Sequence, residues 1–170
     1  MRALPTNIWQ QFQFAVAALS DEAPLREVLE VVLSWIRGNC KYLAVEPFSI
    51  YGFDEVAKID EEAMPVEYSS FKMSDLINFK SVVQRRQARD VEAIARFLRD
   101  TVEELVTIEV DQQCPKCGSE GMRIFVGRHN GLLACQCNVC GYAYYSDGSR
   151  VEVGGLEFAR ERQLRELGLI

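Results

Sequence analysis

The apolar positions near the N-terminus recur at helical spacing in two successive segments. In the first, residues 8–19, large apolar side chains repeat every three or four positions, which predicts a helix. Asn7, with Gln10 three residues later, matches a capping box at its start. The second stripe begins after Pro24 and ends at Gly38, residue types typical of the first turn and of the C-terminus of a helix. The short polar connection favours an antiparallel helix pair.

Residues 40–68 show no such repeat. The stretch KYLAVEPFSIYGF is rich in aromatic and β-branched residues, but Pro47 and Gly52 interrupt it, so we expect one or two short extended pieces and loop. Residues 46–67 hold seven Asp or Glu side chains against the single Lys58. We therefore expect an acidic loop region over residues 46–67.

A longer apolar stripe returns between residues 74 and 105. The polar run QRRQARD interrupts it, which leaves two alternatives: one long helix that leaves the core there, or two helices that meet near residues 84–90. Residues 106–110 alternate as a strand does, and YAYYSDGSRVEV is typical of a hairpin that turns at Asp147–Gly148. The remaining C-terminal segment, residues 154–170, predicts a short helix.

Five of the six cysteines lie in one segment near the C-terminus. They include two C-x-x-C units, CPKCG at residues 114–118 and CNVCG at residues 137–141. Each unit forms a tight turn that directs two sulfurs to one point, and the Gly that follows lets the backbone turn. Between the units, MRIFVG and LLACQ predict two strands that turn at Asn130–Gly131. In a chain without a secretory signal, this pattern indicates metal binding rather than disulfides.

This arrangement resembles the zinc-ribbon family, in which β-hairpins hold two cysteine knuckles together, and the resemblance covers about residues 108–153. It implies a Zn²⁺ ion held by the thiolates of Cys114, Cys117, Cys137 and Cys140. Four thiolates leave no open coordination position, so the implied site is structural. CPxCG knuckles also occur in rubredoxin, an iron protein, so iron is the alternative metal for this site. Cys135 lies two residues before Cys137 and could replace it, although only Cys137 has the knuckle turn.

Few residues suit catalysis. The single histidine, His129, falls at the predicted hairpin tip, where we expect it to be exposed. Cys40 is expected to be a buried small apolar residue. The sequence has no phosphate-binding loop, no dinucleotide-binding motif, no zinc-protease motif and no hydrolase nucleophile elbow. We therefore expect that the protein is not an enzyme.

The net charge of −6 is unevenly distributed. Residues 1–113 carry 19 Asp and Glu against 12 Lys and Arg, a charge of −7, whereas residues 114–170 carry 6 against 7, a charge of +1. Neither part has the excess of basic side chains that binding to nucleic-acid phosphates uses. No apolar run reaches the roughly 18 residues that span a bilayer, and the N-terminus lacks the apolar segment of a signal peptide. These features predict a cytoplasmic protein with no membrane partner.

Together these patterns predict an α+β protein, with a mainly helical domain over residues 1–107 and a zinc ribbon plus C-terminal helix over residues 108–170. The expected function is binding of a protein partner, as an immunity protein or antitoxin that neutralises a basic, nuclease-type bacterial toxin. Opposite charges would speed such an association. The candidate contact residues are Asp54, Glu55, Asp60, Glu61 and Glu62. The alternative for them is a solvated region that only aids solubility.

Two other functions would use the ribbon. A nucleic-acid-binding or transcription accessory protein would present basic side chains together with aromatic rings that stack on bases. The candidates are Lys116, Arg123, Arg128, Arg150, Phe125, Tyr142, Tyr144 and Tyr145. An iron-loaded site would instead carry electrons.

Overall fold

The structure is a computed structural model that describes residues 4–170. It combines helices with an antiparallel sheet, as expected of the α+β class. The chain forms two compact units. The first contains the described residues up to Glu61 together with Phe71–Leu105, and the second contains Glu62–Ser70 together with Val106–Ile170. The sequence pattern did not anticipate that residues 62–70 join the second unit.

The first unit is helical. Its helices are α1 (Thr6–Ala18), α2 (Leu25–Gly38), α3 (Cys40–Leu43), α4 (Phe53–Val56), α5 (Met73–Arg85) and α6 (Val91–Val106), the last residue of which belongs to the second unit. A 3-10 turn over Glu61–Ala63 starts at the last residue of the first segment of this unit, and a second 3-10 turn, Val66–Tyr68, belongs to the second unit. Within residues 4–170, no helix is both long and apolar enough to cross a bilayer.

Aromatic rings fill the core between α1, α2 and α5. The ring of Phe12 lies 5.3 Å from that of Trp9, 4.8 Å from that of Trp35 and 6.4 Å from that of Phe79, centroid to centroid. Trp35, near the end of α2, donates its indole N–H to the carbonyl of Ile8, near the start of α1, at 3.0 Å. The two helices therefore run antiparallel, as their short connection suggested.

The start of α1 differs from the sequence expectation. The helix begins at Thr6 after Pro5, and no side chain caps it. The predicted capping box is therefore wrong: Asn7 lies inside the first turn, where its side chain is not placed to accept from the N–H groups that follow a cap.

The polar run after α5 marks a break between two helices, the second of the two alternatives. Arg86 adopts extended backbone angles, with φ −72° and ψ 143°, and ends α5. Its carbonyl accepts the indole N–H of Trp9 at 2.9 Å and the amide of Gln13 at 3.1 Å, and the same amide reaches the carbonyl of Val83 at 3.0 Å. Side chains of α1 thus satisfy backbone groups left over at the end of α5.

Residues 40–68 contain no strand, so the expected extended pieces are wrong. Backbone N–H groups here donate to carbonyls three or four residues back, as Ser49 does to Val45 at 3.1 Å, and this makes successive turns and short helices. Phe48 and Phe53 are buried. The aromatic residues of this region therefore reach the core from turns and not along a pleated strand.

The second unit carries a five-stranded antiparallel sheet. Its strands are β1 (Glu109–Val110), β2 (Met122–Gly127), β3 (Leu133–Cys137), β4 (Ala143–Tyr145) and β5 (Leu156–Phe158). They lie in the order β1-β2-β3-β4, and β5 pairs with the C-terminal half of β2. The predicted strands and their turn at Asn130–Gly131 are present, whereas the segment at 106–110 forms a strand only over its last two residues.

The C-terminal segment is helical only in part. The strand β5 precedes the helix α7 (Glu161–Glu166), and the sequence pattern did not indicate it. In α7, Arg165 donates to Glu161 at 2.6 Å, a pair one helical turn apart. The predicted turn at Asp147–Gly148 is also formed, since the N–H of Tyr145 donates to the carbonyl of Ser149 at 2.9 Å.

Candidate metal centre

Two cysteine turns of matching geometry follow β1 and β3. In the first, the N–H of Gly118 donates to the carbonyl of Cys114 at 2.8 Å; in the second, the N–H of Gly141 donates to the carbonyl of Cys137 at 2.9 Å. Both glycines adopt positive φ, 74° and 71°. This conformation strains any residue that has a Cβ atom, so the glycine after each cysteine pair is what closes the turn.

The turns bring four sulfurs together. The Sγ atoms of Cys114, Cys117, Cys137 and Cys140 all lie within 4.8 Å of one another. Across the two turns, the Sγ atoms of Cys114 and Cys140 are 3.7 Å apart, and so are those of Cys117 and Cys137. A tetrahedral ion with bonds of about 2.3 Å to each sulfur would separate the sulfurs by about 3.8 Å. The spacing therefore fits a four-coordinate metal held by these thiolates.

Hydrogen bonds from neighbouring groups favour the thiolate form of Cys117 and of Cys137. Hydrogen bonds from the hydroxyl and backbone N–H of Ser119 lower the pKa of Cys117 to about 6, and the Sγ of Cys117 lies 3.2 Å from that hydroxyl. The N–H of Cys140 points at the Sγ of Cys137 at 3.5 Å and lowers the pKa of that thiol. Sequence reasoning missed Ser119, whose only signal is a hydroxyl two residues after a cysteine.

The pKa of the Cys140 thiol is shifted in the opposite direction. A backbone hydrogen bond from Tyr142 favours the thiolate of Cys140, but loss of water and the neighbouring sulfurs outweigh it and raise the pKa to about 11. Four thiolates at this spacing repel one another in the absence of a cation. A divalent cation would remove that repulsion, which is a further reason why the set suits a metal.

Cys135 lies outside the group of four. It pairs with Ile124 across β2 and β3, and its half-buried Sγ is 3.9 Å from the Oε1 of Gln112. Burial raises the pKa of this thiol. Of the two cysteines that the sequence left open for the third ligand, the geometry brings Cys137 to the other sulfurs.

The two other candidate reactive residues are both exposed. His129 lies at the turn between β2 and β3, as expected. Cys40 was expected to be buried, and this is wrong: it starts α3 at the surface, with its Sγ 3.4 Å from the carbonyl of Ile36. Asn39 before it and Leu43 after it are buried, so Cys40 lies on the side of the chain that faces solvent.

The acidic stretch is not the solvated loop that the sequence suggested. Asp54 and Glu55 are exposed on α4, and Asp60 is exposed on the turn that follows. Between them Val56 and Ile59 are buried, so the stretch contributes to the core of the first unit. The acidic side chains therefore extend from a segment that is packed against the core.

Glu61 forms an ion pair with Arg37. Its carboxylate accepts two hydrogen bonds from the guanidinium of Arg37, at 3.0 and 2.8 Å, and these lower the pKa of Glu61. The same guanidinium donates to the carbonyls of Ala57 and Ile59. Glu62 is exposed and belongs to the second unit. Sequence reasoning missed Arg37, because nothing in the pattern pairs residues 24 positions apart.

The side chains considered for nucleic-acid binding are only partly available. Arg123, Phe125 and Tyr145 are buried, which removes two of the four rings from any stacking surface. Tyr145 donates its hydroxyl to Glu152 at 2.8 Å. The other two rings, Tyr142 and Tyr144, are half-buried. The remaining basic candidates, Lys116, Arg128 and Arg150, are exposed.

No protein-family model matches the chain, and neither does any curated protein or solved structure. The four-sulfur geometry and the distribution of charge therefore carry the functional assignment.

Proposed function

We propose that the four clustered cysteines hold a structural Zn²⁺ ion in a zinc-ribbon-like fold. The observation that carries this is the pair of 3.7 Å sulfur separations across the two turns, which match the edge of a tetrahedral thiolate site. A site saturated by four protein ligands supplies no position for a substrate, so the ion would stabilise the fold.

The need for a metal follows from the size of the local core. The buried residues that pack around the sulfurs are Cys114, Met122 and Cys137, with half-buried tyrosines at the edge. So few apolar side chains cannot close two tight turns by burial alone, and metal binding then becomes part of the folding free energy.

Metal analysis tests the proposal directly. The purified chain is expected to contain one Zn²⁺ per molecule, measured by inductively coupled plasma mass spectrometry after dialysis against metal-free buffer. Iron with a red colour would support the electron carrier in its place. A chain that folds with no metal would contradict the zinc site.

We further propose that the protein is a non-enzymatic, cytoplasmic binding protein whose acidic stretch contacts a basic protein, as an immunity protein or antitoxin does. In support, Asp54, Glu55 and Asp60 are exposed on a segment whose backbone Arg37 holds in place. An ordered backbone loses less backbone entropy on binding than a mobile loop would. A reducing compartment also suits a set of free thiols.

Charge reversal separates this role from simple solvation. The double change Asp54→Lys and Glu55→Lys is expected to lower the association rate of a basic partner at least tenfold at low salt, with a smaller loss at high salt, because rim charges act mainly on encounter. The partner to try first is a basic protein encoded beside this gene. Stopped-flow binding at two salt concentrations measures the effect.

The matched control is Glu27→Lys with Glu30→Lys, which changes the net charge equally on two other exposed residues of the first unit. If both double variants slow association to the same extent, only net charge matters and the acidic stretch is not the contact. Binding of single-stranded nucleic acid below micromolar Kd, with a steep salt dependence, would favour the nucleic-acid role instead.

A further inference from the structure

The four cysteines of the centre differ in their exposure to solvent. Cys117 and Cys140 are exposed, whereas Cys114 and Cys137 are buried. Each exposed sulfur lies 3.7 Å from a buried sulfur of the other turn: Cys117 from Cys137, and Cys140 from Cys114. The centre therefore consists of two pairs, and each pair joins one exposed cysteine to one buried cysteine.

This arrangement suits thiol oxidation. Cysteines that hold a metal do so as thiolates, and oxidation by peroxide is fastest at thiolates that solvent reaches. A disulfide requires a sulfur–sulfur distance of about 2.0 Å, so each pair would close by about 1.7 Å. The exposed cysteines are the second members of their turns, next to Gly118 and Gly141, and a Cβ atom placed on either glycine would meet no other atom within 4 Å, so there is open space beside each turn.

We propose that the centre is a peroxide-sensitive switch, in which oxidation of Cys117 and Cys140 releases Zn²⁺ and joins the two turns by disulfides. The proposal rests on the zinc site proposed above. It adds a second state of that site, in which covalent bonds between the turns replace the bonds to the metal.

The reaction balances with hydrogen peroxide as the oxidant. The thiolate of Cys117 attacks one peroxide oxygen, the O–O bond breaks, and a sulfenic acid and water form with one added proton. The thiolate of Cys137 then attacks that sulfur, and with a second proton the hydroxyl leaves as water. Cys140 and Cys114 react in the same way. In total, four thiolates, two peroxides and four protons give two disulfides, four waters and free Zn²⁺.

Two buried clusters in the second unit do not include the cysteines that would be oxidised. Ile108, Ile124 and Leu164 belong to one buried cluster, against which Cys135 packs, and Phe125 with Tyr145 belongs to another. Neither cluster contains a ligand sulfur. Because two disulfides also join the turns in place of the metal, the oxidised form is expected to keep the hairpin of β2 and β3 and to alter only the two turns, unlike a variant that loses the metal without gaining disulfides.

The test uses zinc-loaded, full-length protein with Cys135→Ser, treated with hydrogen peroxide. Cys40 remains as an exposed thiol that holds no metal, so it serves as an internal reference. We expect one Zn²⁺ released for every four thiols lost, before Cys40 reacts. A zinc-binding dye follows the release, and peptide mass spectrometry identifies the bonds, which should join Cys117 to Cys137 and Cys114 to Cys140. Dithiothreitol with added Zn²⁺ should restore the starting state.

Each other result overturns the proposal. Oxidation of Cys40 while zinc stays bound would show that the centre is inert, and would leave the zinc site itself intact. Release with sulfinic acids, or with disulfides inside one turn, would contradict the pairing across turns. A chain that purifies folded without metal would contradict the zinc site and the switch together.

Discussion

Replacing Cys114 by serine is expected to release the metal and unfold the two cysteine turns. Cys114 is only 2 % exposed, and its sulfur is one of the two that pack against Met122 inside the unit. Structural zinc sites contribute on the order of 10–16 kcal/mol of apparent binding free energy. Loss of one of four thiolates should therefore cost far more than the local core can replace. The change is expected to be confined to about residues 108–153.

Two measurements check this expectation. Elemental analysis should find less than one tenth of the wild-type zinc in Cys114→Ser, and hydrogen exchange should show lost protection over β1, β2 and β3 with the helices of the first unit unchanged. Cys140→Ser should behave in the same way. The matched control is Cys135→Ser, the same chemical change in the same sheet, which should keep the metal. Loss of zinc from that control, or its retention in Cys114→Ser, would show that the ligand set is wrong.

The cysteine centre was predictable because its geometry is local. A C-x-x-C-G unit specifies its own turn, since the positive φ of Gly118 and of Gly141 lies within four residues of the first cysteine. The hairpin between the two units then has only to bring them together, and Asn130–Gly131 signals where it turns. The same holds for α1 and α2, whose buried faces recur at a period set by the helix itself.

Features that depend on partners far along the chain were not predictable. Residues 62–70 join the second unit partly through Tyr68, whose hydroxyl accepts from Arg165 at 3.0 Å, 97 positions away. The N–H of Ser70 donates to the carbonyl of Thr107 at 2.9 Å, across another long separation. A periodic pattern describes only which face of a segment is apolar. It does not say which other segment covers that face. The prediction of one helical domain over residues 1–107 therefore missed that residues 62–70 belong to the second unit.

The prediction of an acidic loop over residues 46–67 was wrong for a related reason. Seven acidic residues in 22 positions suggest a solvated loop, because acidic side chains favour solvent. The buried apolar residues between them keep no single period: Phe53, Val56 and Ile59 follow one another at every third position, but Phe48 lies five positions before them and Met64 five positions after. They are nonetheless buried, because short helices and turns change direction often enough to bring each one to the core.

The largest effect outside the cysteine centre is expected at Phe12. Its side chain has no exposed surface and lies among Trp9, Trp35 and Phe79. Phe12→Ala removes a ring that three other rings surround, and should cost about 3–5 kcal/mol of unfolding free energy, because the cavity left behind cannot collapse fully. Phe14→Ala, two positions away on the same helix, changes a side chain that is 75 % exposed and should cost less than about 0.5 kcal/mol.

Urea unfolding followed by tryptophan fluorescence measures this difference, since the two tryptophans of the chain are Trp9 and Trp35 and both lie in the first unit. The midpoint should fall strongly for Phe12→Ala and stay close to wild type for Phe14→Ala, with the slope unchanged in both. If Phe12→Ala is too unstable to purify, Phe12→Leu should show a smaller shift in the same direction, because it leaves a smaller cavity. Zinc content should be the same in all three variants, since the metal ligands belong to the other unit. Equal midpoints for Phe12→Ala and Phe14→Ala would mean that the aromatic cluster does not hold the first unit together.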